Sequence, residues 1–357
     1  MKRIGNLYEQ IYDVENVKLA IKNASKGKHD RPYVRRVVKN VDKYAVIISE
    51  MLRKREFVCG TNRTRTIIDG SCRKTREITV PQFYPDQIVH WAIIQVLEPI
   101  VMKGMYRYSC GSVPGRGGTD AMRYVRRVYH KRKARYVLKM DVHKFFPSIR
   151  HDKLKALLRH KIKDKETLEL LDKIIDSGGN GLPIGFYTSQ WLSNFYLEEA
   201  DRYIKEVLQI RYYVRYVDDM VLIDSNKRKL HRAKRQLEEW LRSEGYGLEI
   251  KGDWQLWKMG SRPLDFVGFR FYSDHIHMRK RLFYHLTKVT RDIKTKGLNI
   301  NRARRYISLI GWGKRINFRK YYLQKLKPVL SKGAAKRYIS RYTLKTTRKR
   351  EIRCGDL

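Results

Sequence analysis

The stretch Tyr212-Tyr213-Val214-Arg215-Tyr216-Val217-Asp218-Asp219-Met220-Val221-Leu222-Ile223 decides how this chain is read. An apolar and aromatic run enters the two aspartates and another leaves them. Such runs read as two strands of a tight hairpin with the carboxylates at the bend. Neighbouring carboxylates repel, so both stay ionised only if positive charge sits between them. A divalent metal ion is the usual source of that charge. Asp is also a common turn residue, so the pair alone leaves both readings open.

The charge balance of the whole chain narrows the choice. Its 357 residues hold 79 Lys+Arg against 36 Asp+Glu, a formal net charge of +43. A charge of that size repels itself and makes sense beside a polyanion. Nucleic acid is the first candidate and an anionic membrane surface the second. No run of 18 apolar residues exists and no single basic amphipathic helix carries the charge, which disfavours the membrane. Lys and Arg are spread along the chain and dense in its final seventy residues, as suits a long polyanion lying in a groove. Cys59, Cys72, Cys110 and Cys354 have no metal-type spacing and read as free thiols. The start, Met1-Lys2-Arg3-Ile4-Gly5-Asn6, lacks the apolar core of a signal peptide, so a cytoplasmic location is expected.

Working outward, residues 1–60 read as helices with basic faces, with Val17, Ala20 and Ile21 on one stripe. Strands are expected at Thr64–Ile68 and Arg76–Val80, and a helix after Pro85-Asp86 with Asp86 as its cap. The Gly-rich loop at 109–119 precedes a basic helix at about 120–132; it could cradle phosphate or be a surface loop. Strands are expected at Tyr136–Val142, Leu248–Ile250 and Leu264–Phe271, with helices over 151–178, from Thr188, and across Leu230–Trp240. Strand, helices, hairpin, helix, strand suits an antiparallel sheet backed by helices, a split βαβ arrangement. From about 280 the chain reads as helical, basic and Tyr-rich, which places a boundary near Asp274–Lys280.

Asp141 ends its strand. If that strand lies beside the hairpin, three carboxylates converge at one sheet edge. Mg²⁺ takes hard oxygen ligands, typically a few carboxylates with phosphates and water. Two such ions about 3.5–4 Å apart can stabilise both oxygens of an in-line phosphoryl transfer. Beside a basic groove, that is polymerase chemistry.

Tyr216-Val217-Asp218-Asp219 resembles the YxDD motif of reverse transcriptases, and Asp141 to Phe146 resembles their preceding aspartate motif. The order of further motifs matches too. Arg73–Ile78 resembles the fingers segment, Gly181–Gly185 the template loop, Leu264–Phe269 the primer grip and Ser308–Trp312 the start of the thumb. The resemblance implies an α+β right-hand polymerase: N-terminal helices and fingers over 1–135, a ferredoxin-like palm with an antiparallel sheet over 136–274, and a short helical thumb over 275–357. It implies RNA-directed DNA polymerase activity with two Mg²⁺ ions, Mn²⁺ as a substitute, held at Asp141, Val142, Asp218 and Asp219. Lys74, Arg76, Phe146, Ile184, Gly185 and Gln190 would meet the nucleotide, with Phe146 as the gate against a ribose 2′-hydroxyl. Tyr216, Phe266, Val267 and Gly268 would meet primer and template, and thumb cations and tyrosines would track phosphates and stack on bases.

The stretch from Ile184 to Gln190, Ile-Gly-Phe-Tyr-Thr-Ser-Gln, resembles the template loop of diversity-generating retroelement enzymes, which copy adenines mutagenically. Ile in place of the usual Gln removes a donor and an acceptor that could brace the template base. The implied partners are template RNA, cDNA, dNTPs, a structured non-coding RNA and a small helical accessory protein, with no membrane. A stand-alone prophage or anti-phage defence enzyme is the alternative, and a non-catalytic RNA-binding protein the remote one. Two departures stand out. Asp86-Gln87 replaces a common Asp-Arg pair, and the lysine proposed to protonate pyrophosphate has only Lys251 and Lys258 as candidates, each of which also reads as an ordinary surface lysine.

Overall fold

The computed structural model describes residues 3–68, 75–129, 131 and 133–355, with side chains described to residue 343. The chain divides into two compact units, Met1–Tyr124 with Arg132–Trp257, and Val125–Lys131 with Lys258–Leu357. The boundary expected at Asp274–Lys280 lies inside the second unit. The reason is a sheet that crosses it, since Phe271 pairs with Ile276.

In the first unit, helices Tyr8–Tyr12, Val14–Ser25, Pro32–Lys39 and Val41–Arg53 open the chain. Val17, Ala20, Ile21 and Ala24 recur at helical spacing and are all buried. Asp13 caps that helix, its side chain accepting from the Asn16 amide at 3.0 Å. The helix Ile88–Gly104 is buried on several faces, through Ile88, Val89, Ala92, Ile93, Ile94 and Leu97. Asp86 does not cap it as expected. Its buried carboxylate accepts from the Gly60 amide at 3.1 Å instead, so it ties a loop down. A hairpin of β1 (Arg63–Ile68) and β2 (Thr75–Val80) is largely exposed.

The central sheet has the order β4-β5-β3-β6, with β3 Tyr136–Asp141, β4 Tyr212–Tyr216, β5 Asp219–Asp224 and β6 Gln255–Lys258. β3 and β4 both pair antiparallel to β5. Cross-strand pairs such as Leu138↔Leu222 and Val137↔Ile223 are fully buried, so a slip of one residue would break the core. Helices His151–Lys161, Lys165–Asp176, Tyr187–Tyr196 and Lys227–Ser243 contribute to the same core. The strand expected at Leu248–Ile250 is reduced to one bridge, Val142↔Ile250. Flanked by Gly247 and Gly252, it is too short for a ladder, and β6 supplies the edge.

The second unit holds a three-stranded meander, β7 Leu264–Phe266, β8 Phe269–Phe271 and β9 Ile276–Met278. Helices Lys280–Lys296, Ile300–Gly313 and Lys332–Gly355 follow, around a smaller core that includes Leu286, Tyr306 and Ile310. No helix among the described residues is long and apolar enough to cross a membrane.

One ion pair in the first unit is wholly enclosed. Arg215 on β4 and Asp201 are 0% and 1% exposed, with Nη2 and Oδ2 2.5 Å apart. Tyr213 Oη donates to the same carboxylate at 2.6 Å. Removing one partner of such a pair strands a buried charge, at a cost of about 3–5 kcal/mol. Asp201→Ala is therefore expected to lower the unfolding free energy from denaturant titration by that much, whereas a surface change such as Lys39→Ala should move it little. A loss near 0.5 kcal/mol or less, the usual scale for surface changes, would show the pair to be dispensable.

Candidate active site

The hairpin turn is two residues long. Tyr216 and Asp219 are the last paired residues, leaving Val217 and Asp218 at the bend. Val217 sits at φ +59°, a left-handed conformation that a β-branched residue adopts at a cost of about 1–3 kcal/mol. Its neighbours enforce it. Arg215 Nη1 donates to the Val217 carbonyl at 2.8 Å and to Asn194 Oδ1 at 3.1 Å. Asn194 Nδ2 donates to the Gly111 carbonyl at 2.8 Å. Gly111 lies so close that a Cβ there would stand 2.6 Å from the Val217 amide nitrogen.

The first residues of the Gly-rich loop therefore back the turn. Cys110 N donates to the Arg215 carbonyl at 2.8 Å, and Arg215 N donates to the Tyr108 carbonyl at 3.0 Å, so residues 108–110 flank β4. Arg215, Asp201, Asn194 and Gly111 were not singled out by sequence reasoning. The available signal was an arginine in the middle of an otherwise apolar and aromatic strand.

The register places Asp141 directly opposite Asp219, and Asp218 at the adjoining turn stands close enough to Asp141 for the two carboxylates to repel. Two lysines face this carboxylate group. Lys251 Nζ bonds Asp141 Oδ2, and its backbone amide donates to the Asp141 carbonyl at 2.8 Å. Lys139 Nζ is 3.4 Å from Asp219 Oδ2. Lys251 is thus no ordinary surface lysine, whereas Lys258 lies exposed on β6. Burial alone would lower the Lys251 pKa, but the bond to Asp141 and the charges of Asp141 and Asp218 hold it above its usual value. Burial, then the adjacent Asp141, pushes the Asp218 carboxyl up to about 7.

This donor set suits a hard divalent cation. It consists of carboxylate oxygens, and Asp141 Oδ1 is buried without a hydrogen-bond partner. Among the described residues no His, Cys, Asp and Glu side chains form a ready-made cage of three, and the lysines supply the compensating charge here. The Val142 side chain is buried and its residue bridges Ile250 next to Asp141.

Phe146 follows on the short helix Phe145–Ser148, half-buried, its ring edge-on to Phe145 at 5.5 Å. The loop from Gly181 to Gly185 is held at both ends. The Leu182 amide donates to the Phe146 carbonyl at 2.9 Å, and a Cβ on Gly181 would come within 2.5 Å of that oxygen. Thr79 N on β2 donates to the Ile184 carbonyl at 2.8 Å, and a Cβ on Gly185, at φ +128°, would come within 2.2 Å of the Thr79 carbonyl. Phe146, Ile184, Gly185 and β2 are thereby joined through backbone. Arg76 lies exposed on β2 opposite Ile67, and Gln190 is exposed on its helix. Lys74 lies outside the described residues. Tyr216 is 37% exposed at the turn. In the second unit, Val267 and Gly268 make a two-residue turn at φ +43° and +83°. Phe266 beside it is fully buried, which leaves its side chain no surface for a primer.

Comparison with known proteins fits this arrangement. The family model for "Reverse transcriptase (RNA-dependent DNA polymerase)" matches residues 62–271, more than half of the chain. The chain belongs to the reverse transcriptase family. Protein YkfC of Escherichia coli is 28% identical over 200 residues, 51% of this chain and 52% of that protein. The group II intron-encoded protein LtrA of Lactococcus lactis is 27% identical over 155 residues, 41% of this chain and 25% of LtrA. The retron Ec73 reverse transcriptase of E. coli is 32% identical over 108 residues, 27% of this chain and 34% of that protein. The chain thus spans about half or less of these relatives. Among solved structures, telomerase from Candida tropicalis with a fragment of telomeric RNA superposes with a TM-score of 0.48 at 15% identity, covering 75% of this chain and 56% of that one. The α+β, right-hand polymerase class expected from the motifs is that of the reverse transcriptase family, whose domain generally uses divalent metal ions.

For a reverse transcriptase site the state of Asp218 has a thermodynamic consequence. Its folded pKa lies above its unfolded value, so its contribution to stability is fully present below the ordinary carboxylate pKa. That contribution is lost as pH rises towards about 7. A cation binding there must displace the proton at pH 6 but not at pH 8. Mg²⁺ is expected to raise the thermal midpoint more at pH 8 than at pH 6, and Asp218→Asn should flatten the difference. Equal Mg²⁺ stabilisation at both pH values in the unaltered chain would separate Asp218 from cation binding.

Proposed function

We propose that this chain is an RNA-directed DNA polymerase, with Asp141, Asp218 and Asp219 as its catalytic carboxylates. The observation that carries the reading is the pairing of Asp141 with Asp219 in antiparallel register, with Asp218 at the adjoining turn. Two Mg²⁺ ions held by these residues and the Val142 backbone, or Mn²⁺ in their place, would activate a primer 3′-hydroxyl and neutralise the departing pyrophosphate. The chain's own groups orient the reactants. Lys74, and Arg76 on β2, would bind the triphosphate, and Phe146 would exclude a 2′-hydroxyl from a site that Ile184, Gly185 and Gln190 would line. Lys251, bonded to Asp141, would be the lysine that gives a proton to the departing pyrophosphate. Tyr216 and the Val267-Gly268 turn would meet primer or template. In domain terms, we assign N-terminal helices and fingers to 1–135, with palm and then thumb following in the rest of the chain.

Primer extension on an RNA template with Mg²⁺ and dNTPs tests the reading. Asp218→Ala and Asp219→Ala should each cut incorporation by on the order of 10²–10³ or more. Undiminished extension in both variants would refute the carboxylate mechanism.

Within that activity, we read the chain as a mutagenic copier of a diversity-generating retroelement. It would work with a structured non-coding RNA and a small helical accessory protein in the cytoplasm. Support comes from Ile184, whose carbonyl is fixed by Thr79 while its side chain, half-buried, offers no hydrogen bond to a template base. The similarity to a retron reverse transcriptase favours a second reading, a stand-alone or anti-phage defence enzyme. Sequencing the cDNA separates the two. Errors concentrated opposite template adenines are expected, and Ile184→Gln should reduce them; a uniform error spectrum would favour the defence reading.

A further inference from the structure

The second unit carries an open cavity of about 980 Å³ that the polymerase chemistry does not use. Its size is at the upper end of small-molecule sites. Three rings cluster on its wall. Tyr272 and His275 are stacked, with centroids 4.5 Å apart and planes at 13°, and His277 stands edge-on to both at 5.7 and 4.6 Å. Four permanent cations line the same space, Arg126, Arg270, Lys280 and Arg315, against one carboxylate, Asp274. That carboxylate is already engaged by His275 at 2.7 Å.

The cations are poorly compensated. Arg270 Nε is buried without a hydrogen-bond partner and stands 3.7 Å from Asp265, whose Oδ1 accepts two bonds from Arg279. Among the described residues, Arg126, Lys280 and Arg315 have no carboxylate partner. A ligand that satisfies this wall is planar on one side and multiply anionic on the other. A nucleotide has that chemistry: a base for the ring cluster and phosphate for the guanidinium groups. The volume has room for more than one such unit, which favours a strand over a lone nucleotide.

We propose that this cavity binds one or two consecutive nucleotides of a single-stranded RNA, outside the polymerisation site. The choice of RNA rests on the proposed reading of the chain as an RNA-copying enzyme. The site itself rests on the cavity alone. It would hold an unpaired stretch of the template-bearing RNA while another part of the molecule is copied.

The test uses a short unstructured RNA carrying 4-thiouridine, irradiated with the full-length protein without dNTPs or Mg²⁺. Loss of polymerase activity and loss of this site are then read separately. Cross-links should map to residues 270–280 or 315–321. Tyr272→Ala, and separately the double variant Arg126→Ser/Arg315→Ser, should weaken binding roughly tenfold. The double variant should also reduce the salt dependence by about one for each arginine removed. Lys22→Ser/Lys39→Ser, which removes equal charge from the N-terminal helices, serves as the control for non-specific attraction to a basic protein. Thermal melting checks that each variant folds. Cross-links elsewhere, or losses no greater than in the control, would overturn the proposal. Displacement of the RNA by ATP at its own dissociation constant would assign the cavity to a free nucleotide and overturn the RNA occupant. Equal competition by an RNA–DNA duplex would overturn the single-strand assignment.

Discussion

The arrangement of the carboxylates depends on a charge that never meets solvent. Arg215 lies within the strand that leads to the aspartates, and its guanidinium spans Asp201, Asn194 and the Val217 carbonyl. Each bond alone is worth little, but the group as a whole is enclosed, and a half-satisfied version would be worse than none. The strain at Val217 is therefore held by a network that is costly to break. It fixes the turn, the turn fixes Asp218, and the strand register fixes Asp219 against Asp141.

Electrostatics around that turn follow from the crowding it imposes. Half-buried carboxylates crowded together need compensation, and the folded chain supplies it with Lys251 and Lys139 and with a proton on Asp218 near neutrality. Divalent cations would replace that compensation with a stronger one. The site is thus folded and charge-balanced before any cation arrives, which separates the stability of the sheet from the occupancy of the site.

Much of this was legible in the sequence because alternation and motif order coincide. The hairpin, the β3 strand and the helices around them follow from apolar spacing, and Asp141 follows from its place at a strand end. Other features lay beyond pattern reading for specific reasons. Arg215 reads as a solvated residue until Asp201, fourteen positions earlier, is brought beneath it. Asp86 has the look of a helix cap, yet a tertiary bond to Gly60 claims it. Leu248–Ile250 has strand composition, but two glycines leave it a single bridge. Gly111 belongs to a loop that composition marks as loose, and only the close approach of Val217 shows why a side chain has no room there. The choice for Lys251 between surface residue and site residue turned on a contact across 110 positions.

The backbone seating of the Gly181–Gly185 loop separates shape from chemistry. Its position is set by the amide of Thr79, the carbonyl of Phe146 and two glycines that admit no side chain, none of which involves the side chain at position 184. Under the proposed reading, a substitution there would change what a template base meets while leaving these backbone contacts in place. If Ile184 sets copying accuracy as proposed, that accuracy would be free to drift under selection without disturbing the loop's backbone, and lineages could exchange faithful for error-prone replication by single steps.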